Sequence, residues 1–425
     1  MIPDGWQAIP FSGLADYKAG RTPARANPVF WQGAGDGVPW VAISDMTEFG
    51  TVTATKEKIS QVAFREVFRG KTVPAGTLIM SFKLTIGRMA TLGVDACHNE
   101  AIIAIFPRNG IDQRFLGYFL AQVDYDGLQD RQVKGNTLNQ EKIDRIEIWL
   151  PPDDEPKHIA DVLDLVRQAI QLQDNGLAIA QDLKRAAMYT LFTKGLRGEA
   201  QKETEIGPVP ESWELGSLGT HFSVVSGGTP SRRNPTFWHG GEIPWAKTTE
   251  VNYCVIRETE EHITPAGLIG SAAKLLPPGT LLMAMYGQGV TRGKVAILGI
   301  EAACNQACAA IRPSSGAIET RFLYHFLVSR YEEIRQLAHG GQQQNLNLEI
   351  VRGLSICFPP EKAEQNEIVA VLDAIDRKID LHRRKRGVLD DLFKALLHKL
   401  MTGEIRVADL DFSALDAKPV AEVAA

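Results

Sequence analysis

The 425-residue chain repeats itself once, and this self-similarity restricts its fold more than any other feature. Trp6 returns as Trp213, Thr22 and Pro23 as Thr229 and Pro230, Asn27 and Pro28 as Asn234 and Pro235, and Phe30 and Trp31 as Phe237 and Trp238, each 207 positions later. Pro39 and Trp40 match Pro244 and Trp245 at 205, Asn99 matches Asn305 at 206, and Leu138 and Asn139 match Leu346 and Asn347 at 208. A slowly drifting offset is the mark of duplication with small loop insertions. The period is too long for a solenoid, so each copy is a domain with an attached element.

The attached element is a helix. After Pro151 and Pro152, and again after Pro359 and Pro360, apolar residues change to helical spacing. Ile368, Leu372, Ile375, Ile379, His382, Arg386, Leu389, Phe393, Leu396 and Leu400 step by alternating 4 and 3, a heptad seam. Ile159, Leu163, Val166, Ile170, Gln173, Leu177, Ala180, Lys184, Ala187 and Leu191 keep the same phase 209 positions earlier. About 33 helical residues make a rod of roughly 50 Å, longer than packing on one small domain requires. Pairing the two helices buries both seams, and an antiparallel pair relates the two halves by a pseudo-twofold axis. Polar seam residues, Gln173 in one helix and His382 with Arg386 in the other, set register.

The organisation expected is α+β. Residues 1–152 and 208–360 form two mainly β domains, 153–200 and 361–405 form long helices paired as an antiparallel coiled coil, and 406–425 is a frayed tail. Gly195 to Pro210, with three glycines and two prolines, reads as a linker. Strand-like runs cover Pro39 to Ser44, Thr77 to Phe82, Met89 to Val94 and Ala101 to Pro107. They recur at Pro244 to Thr248, Thr280 to Tyr286, Lys294 to Gly299 and Ala307 to Pro313. A helix is expected near Arg114 to Val123 and near Arg321 to Tyr331.

Hydrophobic content of 44% and charged content of 23% are those of a globular protein. The first residues lack a signal-peptide pattern, and no run approaches the roughly 20 apolar residues of a bilayer span, so a cytoplasmic location is expected. Five unpaired-looking cysteines support neither disulfides nor a zinc ribbon, and read as small buried hydrophobes. The net charge of −5 weighs against nucleic acid only as a total, not as a distribution.

Catalytic patterns are missing from the sequence. Asn27-Pro28 and Asn234-Pro235 lack the second proline of an adenine-methyltransferase loop, and no glycine-rich cofactor loop follows a strand. Gly287 to Lys294 has the wrong spacing for a phosphate loop, with Val295 where Ser or Thr would hold magnesium. No metal-ligand spacing involves the histidines. The turns instead collect cations, amides and an aromatic. In copy two these are Arg232, Arg233, Lys247, Tyr286, Gln288, Arg292, Lys294, Gln343, Gln344 and Asn345. In copy one they are Arg21, Arg25, Lys83, Arg88, Lys134 and Asn136. Arg and Lys suit phosphate and guanine, and Gln and Asn suit adenine, so these are the candidate DNA-binding residues. Any single basic loop is ordinarily just solvated. What singles these out is recurrence at matched places, with sequences that differ between copies.

Taken together, Gly227-Gly228-Thr229-Pro230, Asn234-Pro235, Phe237-Trp238, Pro244-Trp245, Gly293-Lys294-Val295-Ala296, Asn305-Gln306-Ala307 and the Pro359-Pro360 helix entry resemble the specificity (S) subunit of type I restriction-modification systems. Copy one is more divergent, with Gly20-Arg21-Thr22-Pro23 at the first motif and Arg88 in place of Lys294. The resemblance implies two target-recognition domains, each reading one half of a split, asymmetric site in double-stranded DNA, separated by antiparallel helices acting as a ruler. It also implies that two modification subunits bring S-adenosylmethionine and methylate adenine, and that restriction subunits bring ATP- and magnesium-dependent translocation and cleavage. This chain itself would then hold no cofactor or metal and catalyse nothing. The competing reading is a coiled-coil protein-interaction adaptor without DNA specificity.

Overall fold

The structure is a computed structural model that describes residues 2–31, 34–108, 110–127, 130–132, 135–287, 290–337 and 345–411. The chain forms two compact units: unit one is Met1–Gln173 with Lys385–Ala425, and unit two is Asp174–Arg384. The architecture is α+β, with the same sheet topology in both.

In unit one a five-stranded sheet runs in the order Ala15–Ala19, Ile102–Pro107, Leu78–Ser81, Met89–Leu92, Gly50–Val52, antiparallel except for the last pair. Unit two repeats it as Phe222–Ser226, Cys308–Pro313, Leu281–Ala284, Val295–Leu298, Val255–Ile256. A three-stranded sheet centred on Val38–Val41 or Ile243–Ala246 accompanies each. The expected strand runs all contain strands, but pairing order depends on contacts distant in sequence and is seen only in the structure.

The central strands are buried over most of their length, so alternation sorts their side chains into two cores. Leu78 and Met80, with Met89, Ile103 and Ile105, face the helices, while Ile79, Ala90, Leu92, Ile102 and Ala104 form the opposite cluster. Unit two sorts Leu281, Met283, Val295 and Ile311 from Leu282, Ala296, Leu298 and Ala310 in the same way. Each large side chain so buried contributes about 1.5–3 kcal/mol. The antiparallel pairs Gln7–Pro10 with Glu147–Leu150, and Glu214–Ser217 with Ser355–Phe358, close each half immediately before its long helix.

The long helices are Glu155–Lys194 and Lys362–Met401, and each gives one part to each unit. In unit one Ile159, Val162 and Leu163 share a core with Leu397, Leu400 and Met401. In unit two Met188, Leu191 and Phe192 share one with Ile368 and Leu372. Early residues of one helix thus meet late residues of the other, so the pair is antiparallel. Every seam position is buried or half-buried except Arg386, which turns outward to Asp390 at 2.5 Å. The seam residue Lys184 is paired with Asp376 at 2.5 Å, with little of either side chain exposed. Gly176 lets His382 approach, since a Cβ there would lie 2.6 Å from the imidazole.

A second device joins the globular half to its helix. The expected short helices are Gln113–Gln122 and Thr320–Ser329. Arg114 reaches Asp161 and Asp164 at 2.8 and 3.0 Å, and the Tyr118 hydroxyl donates to Asp164 at 2.5 Å. At the matched positions of unit two, Arg321 and His325 both donate to Asp373 at 2.8 Å.

Three sequence expectations are corrected. Gly195 to Pro210 is not simply a linker: Gln201–Thr204 and Gly207–Pro210 pair as a hairpin, and Val209 enters the core of unit two. The apolar Ile206 and Val209, spaced among the glycines and prolines, are what order it. Four cysteines are buried, but Cys254 is exposed. The start of the expected frayed tail also packs, through the half-buried Val407 and Leu410 against the core of unit one; residues 412–425 lie outside the described residues.

His325 carries a pH consequence. Burial pushes its pKa below the ordinary 6.5, outweighing the Asp373 hydrogen bond and the charge of Asp376, while Lys184 adds to the lowering. Burial raises the Asp373 carboxyl, but His325 and Arg321 together leave it below its ordinary value. A histidine held neutral in the folded chain gives stability that is present above pH 6.5 and lost as pH falls through its folded value. We predict that stability, followed by thermal melting, falls between pH 7 and 5 in the unaltered chain. It should fall less in His325→Gln, which keeps a donor toward Asp373 without titrating, by at most about 1.4 kcal/mol per pH unit. Parallel pH profiles for the two chains would refute this.

Candidate nucleic-acid interface

One end of each five-stranded sheet gathers the loops singled out in the sequence. In unit one the chain leaves Ala19 and Ser81 and enters Ile102 and Met89 at this end, as the strand register requires. The turn that starts at Gly20 is pinned there, with Gly20 N–H donating to Ile102 and Arg21 N–H to His98. Gly227 and Gly228 make the matched bonds to Cys308 and Cys304. The backbones touch so closely that a Cβ on Gly20 would lie 2.0 Å from the His98 carbonyl oxygen, and one on Gly227 would lie 2.3 Å from those of Cys304 and Asn305. The later loops join the same end: Leu138 N–H donates to the Phe82 carbonyl, and Leu346 N–H to that of Met285.

Several predicted cations are held by this frame. The Arg25 guanidinium lies 3.9 Å from the Trp31 ring and forms a two-pronged pair with Glu57 at 2.6 and 2.9 Å. Arg232 lies 3.7 Å from Trp238 and 2.6 Å from Glu261. In both units the tryptophan stands edge-on to a second one, Trp40 or Trp245, at about 5 Å. The Glu57 hydrogen bond raises the pKa of Arg25, and the same bond lowers that of Glu57. Lys247 is bonded to Glu260, which raises its pKa, and lies 3.8 Å from Glu261.

Arg88 donates to the carbonyls of Ile43 and Met46, and Lys294 to Asn252 at 2.7 Å. Arg292 is buried. Arg21 is exposed and bonded to the Val67 carbonyl, and Lys83 lies 5.2 Å from the Phe82 ring. Arg233, Tyr286 and Asn345 are exposed. Asn136 lies on the hairpin Asp130–Gln132 with Gly135–Thr137, but its side chain, together with Lys134, Gln288, Gln343 and Gln344, lies outside the described residues. Asn139 and Asn347, also polar residues of these loops, cap short helices by accepting from Lys142 and Ile350 N–H.

In unit two these loops surround a shallow cavity lined by Ser226, Met285, Tyr286, Gln306, Asn347 and Arg352. Gln306 and Arg352 were not among the predicted residues. The signal that could have raised Gln306 is internal: Asn99-Glu100-Ala101 and Asn305-Gln306-Ala307 match at both ends and differ in the middle. An open cavity with hydroxyl, amide and guanidinium groups suits hydrogen-bonded recognition. Elsewhere His325, Asp373 and Asp376 cluster closely enough to hold a metal, but Arg321 and Lys184 already neutralise the two carboxylates. Among the described residues no helix is long and apolar enough to cross a membrane.

The family model for the type I restriction modification DNA specificity domain matches residues 3–178 and, separately, 210–390. The specificity subunit of the type I restriction enzyme MjaIX of Methanocaldococcus jannaschii is 23% identical over 426 residues, covering 96% of this chain and 95% of that protein. That of the Escherichia coli enzyme EcoR124I/EcoR124II is 25% identical over 260 residues, covering 57% and 61%. The crystal structure of the S subunit of a type I restriction-modification system from M. genitalium superposes with a TM-score of 0.63 at 14% identity, covering 94% of this chain and 97% of that one.

The close approach at Gly227 predicts that Gly227→Ala destabilises unit two by about 1–3 kcal/mol through overpacking against fixed carbonyls. Gly387→Ala, in open space within the helix Lys362–Met401, should instead stabilise by up to about 1 kcal/mol. Denaturant titration of the two variants checks the contrast, and equal midpoints would disprove the packing account.

Proposed function

Because the chain belongs to the type I restriction modification DNA specificity domain family, we propose that it is the sequence-specificity subunit of a type I restriction-modification complex. The observation that carries this is the separate family match of each half, joined to a duplicated frame whose exposed loops differ. Each half reads one part of a two-part, asymmetric site in double-stranded DNA, and the paired helices space the two readings. In this reading the exposed Arg21, Arg233, Tyr286 and Asn345, with the half-buried Lys83, contact DNA directly. Arg25, Arg232 and Lys247, held by glutamates, shape the loops and keep the local charge balanced, so affinity for phosphate must come in part from elsewhere. Modification subunits supply S-adenosylmethionine and methyl transfer, and restriction subunits supply ATP-driven cleavage. The specificity subunit orients them and is not itself a catalyst.

Footprinting of the chain assembled with its modification subunits should show two protected base clusters with an unprotected gap. One continuous block would contradict two-part reading, and an adaptor without DNA specificity would protect nothing. Incubated alone with DNA and labelled S-adenosylmethionine, the chain should transfer no methyl group; incorporation above a no-protein control would show that it carries its own active site.

A further inference from the structure

The turn between Asn305 and Ala307 is built like the turn between Asn99 and Ala101. In unit two Asn305 N–H donates to the Ala246 carbonyl, Cys308 N–H donates to the Asn305 carbonyl, and the Asn305 side chain accepts from Ala307 N–H at 3.1 Å. In unit one Asn99 N–H donates to Val41, Ile102 N–H donates to Asn99, and the Asn99 side chain accepts from Ala101 N–H at 2.9 Å. Gly227 and Gly20 press on the same turns from outside. This bracing leaves one exposed residue at the middle of each turn, Gln306 in unit two and Glu100 in unit one, and each is tied to the matched threonine: Gln306 N–H donates to the Thr229 hydroxyl at 3.3 Å, and the Thr22 hydroxyl donates to the Glu100 carboxylate.

Its neighbours differ between the units as well. Tyr286 and Ser226, which line one cavity with Gln306, stand at the positions that Lys83 and Ala19 occupy in unit one. Among the described residues the side-chain amide of Gln306 makes no hydrogen bond, while the Glu100 side chain accepts one at a single carboxylate oxygen.

We propose that this middle residue reads a base edge, so that its side chain sets one base in each half of the site. The inference rests on the function proposed above and adds the residue that carries it. At Glu100 a phosphate contact is excluded by charge, since a carboxylate repels phosphate, and Gln306 occupies the matched position. What an acceptor-only group can meet on DNA is a donor on a base, and the cytosine amino group is the matching one. Gln306 offers a donor and an acceptor together, which pair with the amino group and N7 of adenine. The stiffness of the turn supports selectivity, because a fixed backbone limits which base edge the side chain can reach.

The test uses the full chain assembled with its modification subunits, with methylated sites mapped by sequencing. Gln306→Glu should shift one base position in a single half-site away from adenine and toward cytosine, with preference changing roughly ten- to a hundred-fold. Gln306→Ala should relax that position without choosing another base, and Glu100→Gln should alter the other half-site only. The gap between half-sites should stay the same in all three, and melting temperatures should match the unaltered complex because the residues are exposed. A two-part site that none of the variants alters overturns this assignment alone. Equal loss of methylation at every sequence also overturns it, since that is the mark of a general contact. An unaltered complex without a two-part site would overturn the functional reading on which it rests.

Discussion

Asp164 and Asp373 hold the structure to its purpose. Each sits on a long helix and receives an arginine and a second donor from the short helix of a globular half. A sheet that packs only through apolar surfaces can slide, because burial has no direction. A carboxylate meeting a guanidinium and a hydroxyl or imidazole is directional, and leaving it unpaired in a half-buried place is costly. These aspartates therefore fix the angle at which each half leaves its helix. Loops that read DNA need that constancy, since an ångström of play would blur base contacts.

Much of this was legible in the sequence. The repeat, the heptad phase of both helices and the strand runs all depend on local spacing, and spacing is what a sequence displays. Ile159 and Ile368 mark the matched helix starts as clearly in sequence as in structure. The family resemblance drawn from the Gly-Gly-Thr-Pro and Asn-Gln-Ala motifs was likewise met by the family match.

The site was less legible, for a physical reason. A cation in a turn looks the same in sequence whether it faces solvent or is held by a carboxylate more than ten residues away, as Arg25 is by Glu57 and Lys247 by Glu260. Arg88 likewise turns to backbone carbonyls that only the fold brings near. Residue type marks potential chemistry; partners decide whether it is available. The hairpin at Gln201 to Pro210 escaped notice for a related reason, since its glycines and prolines signal turns while the burial of Val209 comes from tertiary contacts.

The division of the long helices between units has a consequence for the order of events as the chain is made. Unit two is one uninterrupted stretch and can close as soon as residue 384 has emerged. Unit one is not, because its core includes Leu397, Leu400 and Met401, and Pro3 packs at Gly403. The first half synthesised is thus the last completed, and Ile159 and Leu163 wait for partners more than 200 residues downstream while the second half folds. Such a nascent chain carries an open apolar seam through most of its synthesis, which favours prompt covering by a chaperone or by another helix of like pattern.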